Sequence, residues 1–286
     1  MLKQIAINKQ DIMTTKEELL EQLGSGFTNK VVDRLHQLIY IRDGFLQKLA
    51  KDALTEDWGT DYFALEKYLA VQIPWSIEQG LFTTSGNQWY VSAGNLQTRY
   101  GTPLYIVLER NTYSSRPPWT VKAIGSQISA PQLPTAPVIP SGPEIPRGAE
   151  IVMMHDHILG DNTDRVPFLR DTPPVAQMCA ISGAIQWSLN RNLHLPYWYY
   201  GQMQYIIPLY LQSRENIAQM PDLIAPIQIN NDSLLVRTIL APHMPYANAR
   251  ISVHRHDQLP PWLIDTWKEH SSTQFSLDTI DDEGNN

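Results

Sequence analysis

The chain has 286 residues, 43% of them hydrophobic and 18% charged, enough apolar material for a sizeable core, so a wholly disordered chain is excluded. A formal net charge of -7 argues against a nucleic-acid coat protein, and much of the acidic excess is local, in Asp278, Asp281, Asp282 and Glu283. The single cysteine, Cys179, excludes an internal disulfide and any multi-cysteine metal site.

From Lys16 onward the pattern is helical. EELLEQL is broken at Gly24 to Gly26, and a longer segment follows with Val31, Leu35, Leu38, Ile39, Leu46 and Leu49 at three- and four-residue spacing. This predicts an N-terminal helical hairpin over residues 1–54, with Thr28 capping its second helix. Phe63 to Ile73 places Leu65, Tyr68, Leu69 and Ile73 on one face and is expected to stop before Pro74. QWYVSAG, TPLYIVLER and WTVKAIG read as antiparallel strands and complete a first half, residues 55–128.

Proline then recurs at 131, 134, 137, 140, 143 and 146, every third residue. Polyproline II has three residues per turn, so the rings line one edge of a rod roughly 45 to 50 Å long at about 3.1 Å per residue. Residues 129–148 are therefore read as a strap on the surface, held by Leu133, Val138 and Ile139, or alternatively as a docking ligand for a partner domain.

A second half spans residues 149–270. EIVMMHDHI reads as a strand and VAQMCAISGAIQWSLNRN as a buried helix, with Cys179 a small core residue. YWYYGQMQYIIPLYL, DLIAPIQIN and SLLVRTIL read as three strands, the last two joined by a hairpin through Asn230, Asn231 and Asp232. PYANARISV is expected to form a short helix with Pro245 at its first position, and residues 271–286 an acidic disordered tail. The fold class is α+β: a largely antiparallel sheet with packed helices, an N-terminal helical hairpin and a polyproline strap.

No apolar run approaches the roughly 18 to 20 residues of a spanning helix, and MLKQIAINKQ lacks the apolar core of a signal peptide, so a cytoplasmic chain with no membrane partner is expected. Walker and GxGxxG motifs are absent, and no cofactor is expected.

LAKDALTEDW, YLAVQIPWSIEQG, SAGNLQTRYGTPLYIVLERN and PPW, followed by HDHILGDNTDRVPF, YIIPLYL, PDLIAPIQI and TILAPHMPYANARI, resemble a bacterial domain-of-unknown-function family, number 3825, common in cyanobacteria. The resemblance covers roughly Leu49 to Ile264, with the strap as a variable insert. It implies an RNA-related context, since such domains often lie beside cold-shock or LOTUS-type RNA-binding domains, but no mechanism. The sequence departs from the family pattern at Ala93-Gly94-Asn95-Leu96 and at Pro242-His243, where an acidic residue is usual.

Between Ile151 and Ile264 every basic residue is an arginine: Arg165, Arg170, Arg191, Arg214, Arg237, Arg250 and Arg255. Arginine's planar fork suits fixed contacts to carboxylate or phosphate, although most of these are expected to bridge internal acids. HDHILGDNTDR and PYANAR supply the candidate ligand-binding groups: Asn162, Arg165, Tyr246, Asn248 and Arg250, with His157 as the candidate catalytic acid or base. Together they would grip the phosphate of an RNA end or a nucleotide, with Tyr246 or Trp198 stacking a base and the helix after Pro245 adding free N–H groups. Two other readings stay open. One is a non-catalytic interaction module that docks a protein partner through the N-terminal helices, strap or tail. The other is a metal-dependent hydrolase in which His155 and His157, on one strand face, join His254 and His256, with Asp161 or Asp257 beside them.

Overall fold

The computed structural model describes residues 35, 39–42, 44–111, 117–158, 167–169, 171–199 and 201–283, with side chains to residue 272. The first expected helix near the N-terminus lies outside them. The chain divides into two compact units, Met1–Ile139 and Pro140–Asn286, the boundary falling inside the proline-rich segment. Each unit has its own five-stranded mixed sheet. The fold is α+β with mostly antiparallel pairing, on two sheets instead of one.

In the first unit the elements run β1 (Ile39–Tyr40), α1 (Phe45–Asp52), α2 (Phe63–Glu78), β2 (Phe82–Ser85), β3 (Gln88–Gln97), β4 (Pro103–Arg110) and β5 (Trp119–Gly125), with strand order β1-β5-β4-β3-β2. The continuous helix expected through Ile39 is corrected here. Ile39 pairs in parallel with Trp119, and α1 begins only after Gly44 turns the chain at φ 86. A β-branched and an aromatic residue at 39 and 40 gain more from the sheet edge than from helical periodicity.

The helix expected to stop before Pro74 instead runs through it, to Glu78. Pro74 removes one backbone donor, but Trp75, Ser76 and Ile77 beyond it are buried, and the Ser76 hydroxyl donates to the Gln72 carbonyl at 3.0 Å. The packing of the following turn outweighs the lost bond. Against α2, β3 bulges between Ser92 and Gln97 around Gly94, at φ 63. Asn95 N–H donates to the Tyr68 hydroxyl at 2.7 Å, and a Cβ on Gly94 would sit 2.6 Å from that oxygen and 2.8 Å from Gln72 Cγ. Only glycine meets both the conformation and the space.

No helix or strand interrupts the proline-rich segment. Its grip differs from the expectation: Pro134 and Pro137 are buried, whereas Val138 is 70% exposed and Leu133 is exposed as well. In the first unit the Gln79 amide, just past α2, donates to the Val138 carbonyl and accepts from the Val138 N–H, both at 2.8 Å. In the second unit the Tyr205 hydroxyl donates to the Pro143 carbonyl at 3.0 Å, and a Cβ on Gly142 would lie 2.4 Å from that hydroxyl.

The second unit contains β6 (Glu150–Met153), α3 (Pro174–Leu189), β7 (Leu195–Tyr199), β8 (Gln202–Leu209), β9 (Leu223–Asn230), β10 (Ser233–Val236), α4 (Tyr246–Ile251) and α5 (Pro261–Glu283), with strand order β6-β10-β9-β8-β7. The run expected as one strand from Tyr197 to Leu211 is two, folded at Gly201 with φ 73. The β9–β10 hairpin turns where expected, Asn230 pairing with Ser233 and Asn231 left-handed at φ 47.

α3 lies on one face of this sheet. Gln177, Ile181, Ala184, Ile185 and Ser188 recur at helical spacing and are buried, the apolar ones against Ile207, Leu209, Ala225, Ile227, Leu234 and Val236. Burying Ile181 or Ile185 contributes roughly 1.5 to 3 kcal/mol each. The opposite face is exposed: Val175 is 75% accessible and Cys179 is exposed, so the expected all-round burial and the core role for Cys179 are corrected.

α5 docks on α4 through two aromatic stacks. Tyr246 lies parallel to Trp267 at 4.8 Å and 7°, and His243, in the turn before α4, lies over His270 at 3.8 Å and 16°. α5 runs from Pro261 to Glu283, and the Ser271 and Ser272 hydroxyls donate back to the Lys268 carbonyl. Among the described residues no helix is long and apolar enough to cross a membrane.

Two outcomes test this packing. Gly94→Ala, which adds a left-handed penalty to a steric clash, is expected to cost roughly 2 to 4 kcal/mol in a urea melt. Burial, with the His270 charge second, holds the His243 imidazole below its usual value, and burial does the same to His194. The unfolded chain thus binds more protons just below the ordinary imidazole range. Stability should be complete above that range, decline as pH falls through it, and level off below the folded-state values. His243→Phe should keep a ring over His270 and flatten part of that decline in thermal melts run from pH 8 to pH 5.

Candidate functional site

The sheet order decides first which expected groups can meet. His155, Asp156 and His157 leave β6 in a short exposed helical turn, not on a strand, and residues two apart on a helix do not share a face. The strand-based histidine pair is therefore corrected. α4 packs against β7, the opposite edge of the sheet from β6. With β10, β9 and β8 between them, the two edges stand roughly 19 Å apart at about 4.8 Å per strand.

The α4 residues also face inward. Tyr246 is 1% exposed with its ring covered by Trp267, so it offers no face to a base. Asn248 and Arg250 are 6% and 2% exposed, and Arg250 Nη1 donates to the Val253 carbonyl at 3.1 Å. Pro245 occupies the N-cap, and the six-residue helix is itself interior. The structure thus does not bring His157 together with Tyr246, Asn248 and Arg250. Asn162 and Arg165 lie outside the described residues. Among the described residues no group of three or more His, Cys, Asp or Glu side chains is placed to hold a metal ion.

A different cluster assembles where the last turn of α3 crosses the end of β8. The Ser188 hydroxyl, fully buried, donates to the Pro208 carbonyl at 2.6 Å and fixes that turn to the strand. One residue earlier, Trp187 meets the ring of Tyr210 edge-on at 5.9 Å. Arg191, one helical turn further on, places its guanidinium carbon 4.1 Å from the Trp187 ring centroid while Nη1 donates to the Trp187 carbonyl at 3.1 Å. Arg214, from the loop after β8, places its own 5.0 Å from the same centroid while Nε donates to the Tyr210 carbonyl at 2.9 Å.

That loop is closed on itself. The Asp222 carboxylate accepts the N–H groups of Leu211 and Gln212 at 2.7 and 3.0 Å and the Gln212 side-chain amide at 2.6 Å. Tyr210 is 2% exposed and its hydroxyl donates to the Ile217 carbonyl at 2.7 Å; burial pushes its phenol up from the usual value, keeping it a donor. Asn216 Oδ1 accepts the Ala218 N–H at 2.9 Å. Both arginines are thus tethered at one N–H, supported by one ring, and exposed along the rest of the fork.

Among the described residues, neither guanidinium has a carboxylate within ion-pair distance. Asp222 is committed to its loop, and Glu215, beside Arg214 in the chain, accepts neither fork. Two like charges less than about 9 Å apart repel by roughly 0.5 to 2 kcal/mol between water-like and protein-surface dielectric. Cation–π contact, about 0.5 to 1 kcal/mol per exposed arginine, offsets much of this. The pair is therefore tolerated without being neutralised, and an anion bound at these forks would lower the repulsion between them.

In the first unit Arg99 and Arg110 also lie over rings, those of Tyr100 and Trp119, but one to a ring; elsewhere in the second unit two arginines have protein partners. Arg255 pairs with Asp257, and Arg237 donates to Gln228 Oε1. In the first unit Lys67 stands 5.3 Å from the Phe63 ring, and burial pushes its ammonium down to about 8, so it loses charge at a much lower pH than an arginine does. In the sequence Arg191 and Arg214 stand out only within the arginine bias; the four-residue spacing of Trp187 and Arg191 inside a helical pattern could have found the first, and nothing local points to the second.

Ile158 is buried in the same cluster as Ile181 and Ile185 of α3, which puts the histidine turn on the same face of the sheet. β6 and β8 also run in the same direction, each reached through the alternation of β10 and β9. The exposed turn carrying His157 and the arginine pair accordingly lie at one end of the sheet, three strand spacings or roughly 14 Å apart.

A family model described as a domain of unknown function, DUF3825, matches residues 49–258, a span that takes in Trp187, Arg191 and the whole loop from Tyr210 to Asp222. No curated protein and no solved structure matches the chain. With most of its length covered by that model, the chain belongs to the DUF3825 family.

Proposed function

We propose that the protein binds the phosphate of an RNA end or a nucleotide through Arg191 and Arg214, held over Trp187. One observation carries this reading: two tethered guanidiniums share a ring and, among the described residues, neither pairs with a carboxylate. The site replaces the cleft expected between HDHILGDNTDR and PYANAR, whose second segment faces the interior. The RNA context comes from the sequence resemblance to the family. The chemistry fits it, because the outer plane of a stacked guanidinium accepts a nucleobase while the fork's edge takes phosphate oxygens. His157, roughly three strand spacings away on the same face, enters the proposal as a second contact that an oligonucleotide reaches and a mononucleotide does not.

A specific observation also favours the interaction-module reading. α3 carries no charged residue, and Val175 and Cys179 stand exposed on its outer face. This face and the arginine pair belong to different sides of the unit's chemistry, and both uses are compatible.

The test is fluorescence anisotropy with a short single-stranded RNA across a salt series. Arg191→Ala combined with Arg214→Ala should weaken binding and flatten the log affinity against log salt slope by about 0.7, the value for one phosphate contacted on a single strand. His157→Ala should weaken the oligonucleotide and leave a mononucleotide untouched. Unchanged affinity and slope in the double variant, with an unaltered thermal melt, defeats the proposal.

A further inference from the structure

The charge balance at this seat, taken together with the reading above on which it rests, says which phosphate the seat prefers. Among the described residues neither arginine has an ion pair and the Glu215 carboxylate pairs with nothing; Asp222 accepts three N–H donors, and Glu215 turns its backbone N–H to the Ser213 hydroxyl. The seat therefore holds two positive charges within 5.0 Å of one ring centroid. An internal phosphodiester brings a single negative charge and leaves half of this uncompensated. A terminal phosphomonoester brings about 1.5 to 2 at neutral pH, with a second ionisation near 6, and three oxygens instead of two for the forks.

We propose that Arg191 and Arg214 recognise a terminal phosphomonoester as its dianion, in preference to an internal phosphodiester. Arginine stays protonated throughout the working range, so the pH dependence of recognition is set by the ligand. Binding of a monophosphorylated end should fall as pH drops through the second ionisation of the phosphate, whereas binding of a hydroxyl-ended strand should not follow that curve. Both forks are tethered in advance, Arg191 to the Trp187 carbonyl and Arg214 to the Tyr210 carbonyl. Selectivity thus needs no rearrangement of the loop, and little ordering cost separates the free and bound states.

The experiment uses the full chain and three short RNAs of one sequence: 5′-phosphorylated, 3′-phosphorylated and hydroxyl at both ends, titrated at pH 7.5 and pH 5.5. At least one phosphorylated strand should bind about tenfold tighter than the hydroxyl-ended strand at pH 7.5, a difference of about 1.4 kcal/mol, and most of that advantage should vanish at pH 5.5. Arg191→Ala and Arg214→Ala each halve the positive charge of the seat; each should remove most of the advantage while the fold, followed by circular dichroism, is retained. Glu215→Gln, which removes the nearest negative charge in the chain, should leave the advantage intact and raise affinity for all strands. Equal binding of all three RNAs, with affinity still lost in the arginine variants, overturns the dianion preference and leaves the phosphate site standing. Affinity indifferent to both arginines overturns the two together.

Discussion

The hydroxyl of Ser188, buried and bonded to the Pro208 carbonyl, is the contact on which the candidate site depends. A helix end is ordinarily free to fray, because its last carbonyls have no partner within the helix. Here the last turn of α3 is pinned to a strand that is itself paired on both sides, Pro208 standing opposite Ile224 in β9. Trp187 inherits that rigidity, and so do the arginines stacked on it. Losing the hydroxyl would leave the chemistry of the two arginines intact and remove the fixed spacing that makes them a pair.

The loop from Tyr210 to Asp222 solves the same problem by different means. It has no helix or strand of its own, yet its backbone polar groups are answered locally, by the Asp222 carboxylate at one end and by Asn216 and the Tyr210 hydroxyl in the middle. A loop stapled in this way presents a side chain almost as firmly as a strand does. The separation of duties is physical. The Asp222 carboxylate binds backbone, which leaves the guanidinium of Arg214 to the solvent side.

Much of the fold was legible in the chain because its signals are local. Asn231 and Asp232 between two β-rich runs announced the β9–β10 turn, and the runs around Trp89, Ile106 and Val121 carried the first sheet. Where the reading failed, tertiary packing had overridden a local rule. Pro74 sits inside a helix because the turn after it is buried; Ile39 leaves a helical pattern because a sheet edge receives it; Cys179 faces outward although its helix contains no charge. The polar segment Tyr246 to Arg250 misled for a related reason. Tyrosine, asparagine and arginine look like surface chemistry in a sequence, and only the coordinates show Trp267 over the first and burial of the others. The arginine bias was visible from the start, but which arginines lack acids depends on distances between residues far apart in the chain, and no spacing rule supplies those.

The lone thiol at Cys179 has a practical corollary. It is exposed, it is the single cysteine in the sequence, and it stands on the helix that carries Trp187, eight residues earlier and so roughly 12 Å along the axis. A dye or nitroxide attached there would report on events at the arginines from a native position, in an unaltered chain, with no competing attachment point to remove.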